Sequence, residues 1–265
     1  MNEQKIVVFV PVYNCEKQIG RVIDQLEQQW VIETISRVII VDNQSTDRTA
    51  QVVIEKIQRR GDGFIEFLQN QDNYGLGGSH KVAFDYAAEN GFDYLVVLHG
   101  DDQGSIIDFK SVIARAGSDR ADAILGSRFM RGSSVSGYSR VRLFGNIVFN
   151  TVYSFVLGRV IYDLGSGLNM YRVESLKREE YIRYPDDLTF NCVLLCAQII
   201  NQKKITFWPI TWREEDQVSN VKLVRQSMKT LQIVFCALIH RGAFPSAEYR
   251  QKIHDVYRWE TIKNG

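Results

Sequence analysis

The stretch KIVVFVPVYNCEKQIGRVIDQL, residues 5–26, decides the fold class. It begins with a continuous apolar run rich in β-branched residues at 5–10, passes through a Pro-containing turn at 11–14, and continues with apolar residues spaced three and four apart. The first run predicts a buried strand, and the later spacing predicts a helix. The chain therefore opens with a strand, a loop and a helix.

The same unit recurs three times in the first half of the chain. Strands that alternate with helices through short loops predict an α/β fold with a mostly parallel sheet and helices on both faces. In such sheets ligands bind outside the carboxyl ends of the strands. The later predicted strands and helices are residues 37–41 and 49–60, 64–68 and 79–90, and 94–98 and 105–116.

The alternation weakens after a short strand predicted at residues 123–125. A stretch rich in Gly, Ser and Arg at 130–142 is typical of a mobile basic loop, and an apolar helix at 143–157 follows. We expect a large domain at residues 1–218 and a C-terminal helical extension at 219–265. The remaining predicted elements are strands at 168–171 and 204–207, helices at 188–201 and 221–241, and a surface helix in the tail.

Composition excludes several classes of protein. The 265 residues are 45% hydrophobic, and 32 Lys and Arg balance 31 Asp and Glu. These values exclude disorder and a nucleic-acid binder that works through a strong positive field. No signal-peptide pattern and no apolar run of 18 residues is present, and the four cysteines are scattered. We therefore expect a cytoplasmic protein with reduced thiols.

Carboxylates and amides follow four successive predicted strands, at residues 13–14, 42–43, 72–73 and 101–102. Any one of them suits an ordinary turn or helix cap. Together they indicate a divalent cation and a phosphorylated ligand at one edge of the sheet, because carboxylates alone would repel phosphates. The Gly-rich stretch at 75–78 does not follow the first strand, so it is not the dinucleotide-binding fingerprint.

Five stretches resemble, in order and spacing, the family 2 glycosyltransferases of GT-A fold. A sixth stretch, DLGSGLNMYR at residues 163–172, and the region 209–221 with Trp212, Arg213 and Ser219, resemble the branch that contains dolichyl-phosphate mannose synthases and bacterial polyprenyl-phosphate sugar transferases. The resemblance covers residues 5–225. The five stretches are VPVYNCEKQI at 10–19, VDNQSTDRT at 41–49, NYGLGGSHKVAF at 73–84, VVLHGDDQ at 96–103 and ILGSRF at 124–129.

The resemblance implies a nucleotide-sugar donor site at the first four loops. Cys15 stands where the family usually has an acidic residue, so a ribose contact would either shift to Glu16 or be absent. Lys81 is either a donor contact or a solvated charge, and glycines near Gly77 would let the backbone approach the donor. The implied donor residues are Pro11, Tyr13, Asn14, Glu16, Asp42, Asn43, Gly77, Lys81, Asp102 and Arg213.

The fourth loop implies a metal, Mn²⁺ or Mg²⁺. Family members carry Asp-x-Asp-x-Gln there, whereas this chain has His-Gly-Asp-Asp-Gln at residues 99–103. Asp101 and Gln103 keep two positions of that pattern, and Asp102 is either a substitute ligand or a contact to the sugar hydroxyls. His99 replaces the first aspartate and is either a ligand through a ring nitrogen or a hydrogen-bonded histidine without a metal role.

The chemistry implied is an inverting displacement at the anomeric carbon. Arg128, with Arg140, Arg142 and Arg213, is a candidate for stabilising phosphate charge. Asp187 and Asp163 are candidates for the general base that a hydroxyl acceptor needs, whereas an ionised phosphate acceptor needs none. The catalytic candidates are therefore Asp187, Asp163 and Arg128.

The acceptor is expected to be a lipid-linked or polysaccharide precursor. In the lipid-phosphate branch Ser-Gly-Phe-Arg is typical where residues 166–169 have Ser-Gly-Leu-Asn, so an acceptor-phosphate arginine is missing. The apolar helix near 147–157 resembles a membrane-interface segment of that branch, or it lies in the core. We expect peripheral contact at the inner face of the membrane and no nucleic-acid partner. The alternatives are a degenerate, noncatalytic GT-A subunit and a nucleotidyltransferase.

Overall fold

The computed structural model describes residues 4–214, 223–254 and 256–262. In these residues the strands of the main sheet lie in the order β10, β3, β2, β1, β4, β7, β5, β8, with a separate pair of β6 and β9. The strands are β1 (Ile6–Val12), β2 (Arg37–Asp42), β3 (Ile65–Asn70), β4 (Tyr94–Leu98), β5 (Ala123–Ser127), β6 (Ser134–Ser136), β7 (Leu168–Arg172), β8 (Ile205–Pro209), β9 (Thr211–Arg213) and β10 (Trp259–Thr261).

Helices cover both faces of this sheet. All seven residues of β1 are buried, which is the pattern of a strand packed on both sides. Val7 and Phe9 lie in one core cluster with α4 and α8, and Val8 and Val10 lie in the other with α1 and α3. The α-helices are α1 (Ile19–Leu26), α2 (Gln29–Thr34), α3 (Thr49–Arg60), α4 (Gly75–Glu89), α5 (Lys110–Ile113), α6 (Arg140–Leu157), α7 (Arg178–Tyr181), α8 (Phe190–Ile200) and α9 (Leu223–Ile239).

The predicted α/β class and mostly parallel sheet are confirmed. β7 is the exception that matters for the site, because it pairs antiparallel with both β4 and β5. Its first residue, Leu168, lies opposite Leu98 at the end of β4. The turn before β7 therefore reaches the same edge of the sheet as the loops that follow the parallel strands.

Two predicted loops are partly regular structure. The Gly-rich stretch predicted as a loop up to residue 78 forms the first turn of α4, which begins at Gly75. The basic stretch predicted as a loop at 130–142 contains β6 and the start of α6. Both differences arise from pairing or packing with distant segments, since β6 pairs with β9 and α4 begins against residues 185–187.

The C-terminal tail was predicted as a surface helix, and that prediction is wrong. After a short 3-10 turn at Phe244–Ser246, the described chain ends in β10, which adds an antiparallel strand beside β3. The predicted domain boundary at residues 218 and 219, and the predicted helix start at Val221, lie outside the described residues. No helix within the described ranges is long and apolar enough to cross a membrane.

Candidate active site

The loops after β1 and β2 form one wall of the site. Val12 is paired with Asp42, so the two loops start side by side. The side-chain oxygen of Asn14 accepts a hydrogen bond from the Thr46 amide at 2.8 Å, and Glu16 accepts one from the Arg48 amide at 3.0 Å. These two side chains therefore join the loops, while Tyr13 stays 48% exposed and presents its ring to solvent. Pro11 holds the β4 loop through its carbonyl, which accepts from the Gly100 amide.

Asp42 and Asn43 lie at the base of this wall, where they connect β2 to β3. Asp42 is fully buried and accepts hydrogen bonds from Ser45 and from the Gln69 side chain, the latter at 3.0 Å. The side-chain oxygen of Asn43 accepts from Asn70 and from the Tyr74 amide. Both predicted donor residues thus tie together the ends of β2 and β3. Sequence reasoning missed Gln69, because a glutamine at a strand end carries no signal of its own.

The loop after β4 holds the predicted metal residues. Burial, with the neighbouring carboxylates Asp102 and Glu214, raises the pKa of Asp101 to about 6. Burial lowers the pKa of His99 to about 4, and the charge of nearby Arg128 adds to this. The Nε2 atom of His99 is buried without a hydrogen-bond partner. The loop thus carries a carboxyl group and a buried ring nitrogen that both lose hydration on folding, and a cation bound to either would offset that cost.

Asp102 is held by helix α1. It has a positive φ of 57° and receives hydrogen bonds from Arg21 at 2.6 Å and Gln25 at 2.8 Å, both on α1. Arg213 lies farther off, with its Nη2 atom 3.9 Å from Asp102. The predicted donor residue Asp102 is therefore fully engaged by α1. Arg21 and Gln25 were not predicted, since a helix face three loops away gave no reason to expect them here.

The described residues contain no group of three His, Cys, Asp or Glu side chains arranged to hold a metal ion. The protein alone therefore does not complete a cation site in this part of the chain. Asp101 and His99, with the amide of Gln103, offer the oxygen and nitrogen donors that Mn²⁺ accepts. A cation here would need further oxygen ligands, and the diphosphate of a bound nucleotide has the right chemistry to provide them.

Two of the predicted catalytic residues bind each other. The Arg128 guanidinium donates two hydrogen bonds to the Asp163 carboxylate, each of 2.8 Å, and both side chains are largely buried. The Arg128 group also lies 5.1 Å from the centre of the Trp212 ring. Asp163 in addition accepts from the Gly165 amide. The pair anchors the turn before β7, and the charge of each member is balanced by the other.

The glycines and the lysine of α4 face a protein segment. A Cβ atom at Gly77 would overlap the backbone of Pro185 and Asp186, and the Gly77 amide donates to the Asp186 carbonyl at 2.8 Å. Lys81 is fully buried and donates to Asp186 at 2.6 Å. Burial lowers the pKa of Lys81 to about 8, although Asp186 opposes this. The reading of Lys81 as a solvated charge is therefore wrong.

Asp187 lies beside this contact, at the start of α8. Its carboxylate accepts hydrogen bonds from the Thr189 amide at 2.8 Å and from Lys229 on α9. Burial raises its pKa, but the hydrogen bonds from Lys229 and Thr189 outweigh this and hold the pKa below its usual value. Asp187 is therefore ionised at neutral pH and half-exposed. Lys229 is a further residue that the sequence did not indicate.

Comparisons with known proteins agree on one family. Residues 7–179 match the model of glycosyl transferase family 2. The chain is 23% identical over 214 residues to a polyprenol monophosphomannose synthase of Mycolicibacterium smegmatis, with 80% of this chain and 79% of that protein covered. It is 24% identical to a UDP-N-acetylglucosamine–dolichyl-phosphate N-acetylglucosaminyltransferase of Methanococcus voltae, with 67% and 73% covered.

Solved structures share the fold. Glucosyl-3-phosphoglycerate synthase from Mycobacterium tuberculosis, in complex with Mn²⁺, UDP and phosphoglyceric acid, superposes with a TM-score of 0.62 at 14% identity, covering 89% of this chain and 78% of that one. A mannosyltransferase from Pyrobaculum calidifontis, in complex with GDP-mannose and Mn²⁺, gives 0.59 at 16% identity, covering 91% and 65%.

Proposed function

The chain belongs to glycosyl transferase family 2 and is a glycosyltransferase, and from this premise we propose how its site works. It transfers a sugar, with inversion, from a UDP- or GDP-sugar to a lipid-linked or polysaccharide-precursor acceptor, assisted by a divalent metal. The observation that carries the proposal is the loop after β4, in which burial raises the pKa of Asp101 and the Nε2 atom of His99 is buried without a hydrogen-bond partner. This loop lies at the same edge of the sheet as the loops after β1 and β2.

The nucleoside end of the donor lies at the wall formed by the first two loops. The exposed ring of Tyr13 offers a stacking face for the base, and Asp42 is fixed by Ser45 and Gln69 at the bottom of that wall. The family resemblance, in which these positions contact the nucleoside, supports this placement. The diphosphate then points toward the loop after β4, where Asp101 lies.

A divalent cation held by Asp101, with His99 and Gln103 as further ligands, would neutralise the negative charge that builds on the leaving diphosphate. Arg213 is a predicted phosphate arginine that remains available, because its side chain is 44% exposed. Arg140 is also exposed, whereas Arg128 pairs with Asp163 and Arg142 with Glu214. Arg213 is adjacent to this loop, since its amide donates to the Gln103 carbonyl.

The displacement itself uses Asp187 as general base when the acceptor is a hydroxyl. The acceptor oxygen forms a bond to the anomeric carbon as the bond from that carbon to the diphosphate oxygen breaks. The electron pair leaves with the nucleoside diphosphate, and the acceptor proton passes to Asp187. An ionised, half-exposed carboxylate suits this role better than Asp163, because the Asp163 side chain is only 1% exposed, whereas that of Asp187 is 39% exposed.

A lipid-linked acceptor is supported by the names of two relatives, one acting on a polyprenol and one on a dolichyl phosphate. It is also supported by an exposed apolar surface on α6 and α9, which pack side by side. Such a surface fits a protein that works at the cytoplasmic face of a membrane. The exposed side chains are Val141, Leu143, Phe144, Ile147, Val148 and Phe155 on α6, and Met228, Phe235, Leu238 and Ile239 on α9.

The test is the release of nucleoside diphosphate from UDP-glucose, UDP-N-acetylglucosamine and GDP-mannose, each with Mn²⁺ or Mg²⁺, by the wild type and by Asp101→Ala. We expect metal-dependent turnover of at least one donor and its loss in the variant. A protein that binds nucleotide but turns over no donor would instead be a noncatalytic GT-A subunit, the alternative favoured by the replacement of the first metal aspartate by His99. Pyrophosphate release from a nucleoside triphosphate would indicate a nucleotidyltransferase.

A further inference from the structure

The C-terminal segment beyond α9 contacts β3 and the chain before Pro185. This segment, residues 244–254 and 256–262 and called the strap below, lies outside the stretch that matches the family model. Its last strand pairs with β3 so that Trp259 lies opposite Asn70. Its first part holds the chain before Pro185, because the Tyr249 amide donates to the Arg183 carbonyl at 2.8 Å. The strap therefore contacts the chain at Arg183, just before residues 184–187, and also the end of β3 at Asn70.

Between these two attachments the strap inserts Tyr257 into the protein. Tyr257 is fully buried, and its hydroxyl donates to the Asp186 carboxylate at 2.7 Å. The hydroxyl in turn accepts from Lys81 at 3.0 Å, and the Lys81 ammonium lies 4.7 Å from the centre of the Tyr257 ring. Burial and Asp186 raise the pKa of Tyr257, so the hydroxyl keeps its proton and remains a donor.

Lys81 completes this contact. An ammonium group has three hydrogens to donate, and here they go to the Tyr184 carbonyl, the Asp186 carboxylate and the Tyr257 hydroxyl. The Gly77 amide holds the Asp186 carbonyl from the other side. Residues 184–186 are thus fixed through backbone and side chain at once. Because Asp187 follows directly, its backbone has little freedom to move relative to α4.

We propose that Tyr257 of the strap is a positioning residue for Asp187, acting with Lys81 through the carboxylate of Asp186. The inference rests on the proposed function, in which Asp187 is the general base. A base must stay within hydrogen-bond reach of the proton that it removes, so displacement of this loop by a fraction of an ångström slows the reaction. The strap would then be part of the active site, although it lies far along the sequence from the loops that bind the donor.

The test uses Tyr257→Phe, which removes the hydroxyl and keeps the ring, and the matched control Tyr249→Phe. Tyr249 lies in the same strap, and its hydroxyl donates to the Phe244 carbonyl at 2.9 Å, away from Asp186. The probe is hydrolysis of the fastest donor among UDP-glucose, UDP-N-acetylglucosamine and GDP-mannose. We expect Tyr257→Phe to lower kcat by roughly 3- to 30-fold, the effect of one hydrogen bond, with little change in donor KM. Tyr249→Phe keeps the wild-type kcat.

A double-mutant cycle with Asp187→Asn separates the inference from the proposed function. If Tyr257 acts through Asp187, Tyr257→Phe causes no further loss in the Asp187→Asn background. An equal loss in both backgrounds, or the same kcat for Tyr257→Phe and Tyr249→Phe, overturns the positioning role alone. A wild-type rate for Asp187→Asn overturns the role of Asp187 as base. Should Tyr257→Phe not fold, Asp186→Asn replaces it, with the same pattern expected and the same outcomes decisive.

Discussion

Replacing Asp101 by asparagine should stabilise the metal-free protein. Burial raises the pKa of this carboxyl from its ordinary value of 3.8 to about 6. At neutral pH the carboxylate is ionised in both states, but it is hydrated in the unfolded state and largely desolvated in the folded state. At about 1.4 kcal/mol per pH unit, the rise corresponds to about 3 kcal/mol of unfolding free energy. Asparagine keeps the shape and removes the charge, and it should raise Tm by roughly 5 to 10 °C at pH 8.

The sign of the pH dependence follows from the direction of the shift. Because the folded-state pKa is raised, the wild type loses stability as the pH rises from about 4 to about 6, and the loss is complete above 6. The advantage of Asp101→Asn should therefore be large at pH 8 and fall below about 1 kcal/mol at pH 4. The measurement is thermal unfolding in EDTA at both pH values, with Asp119→Asn, an exposed aspartate, as the control.

Metal and nucleotide should stabilise the wild type more than Asp101→Asn. With 1 mM Mn²⁺ and UDP, the wild type should gain stability, because binding to the folded state adds to its free energy of unfolding, and Asp101→Asn should gain little. A wild-type Tm for Asp101→Asn at pH 8 in EDTA would refute the assignment of a buried charge. An unchanged response to Mn²⁺ and UDP would refute the role of Asp101 as a metal ligand.

Three further predictions concern the packing around the site. Gly77→Ala should lower both stability and donor turnover, because the new methyl group meets the backbone at Pro185 and Asp186. The control Gly145→Ala on α6, where nothing lies within 4 Å, should raise stability by about 1 kcal/mol. Equal effects of the two variants in thermal unfolding would contradict this. Lys81→Met should lower the unfolding free energy by about 3 kcal/mol in urea, because it leaves Asp186 without its cation, and a loss below about 1 kcal/mol would argue against a buried ion pair. Asp163→Asn should cost a similar amount, since Arg128 loses its charged partner, and unchanged urea unfolding would show that the pair contributes nothing.

The order of strands and helices in the first half could be predicted from the sequence, because each element carries its own pattern of burial. The strand at β4 and the helix at α3 match their predicted ranges, 94–98 and 49–60. Where a prediction failed, the cause was distant. The start of α4 at Gly75 depends on residues 185–187, and β10 depends on an open edge at β3. Neither partner is visible in a local window of sequence.

The candidate site was predicted in its location and only in part in its geometry. Asp42 ends β2 and Asp101 follows β4, and these strands lie on either side of β1, so their place at one edge of the sheet was a consequence of the fold class. The direction of each side chain could not be predicted from the fold class. The two neighbouring aspartates of the β4 loop have different partners, since Asp102 accepts hydrogen bonds from Arg21 and Asp101 accepts one from the Gln103 amide. The residue types at 101 and 102 are identical, and only the positive φ at 102 separates them.

By itself, the sequence determined the α/β sheet, the edge that carries the ligands and the family, because periodic burial and motif spacing are local properties of the chain. Tertiary structure decided which charges are available and which are consumed. Lys81 and Asp186 are 105 residues apart, and Lys81 and Tyr257 are 176 apart. Side-chain contacts over such separations exist only after the sheet has formed, since no spacing rule relates their members. The same physics pairs Arg128 with Asp163 in the interior and leaves Asp187 half-exposed beside Lys229.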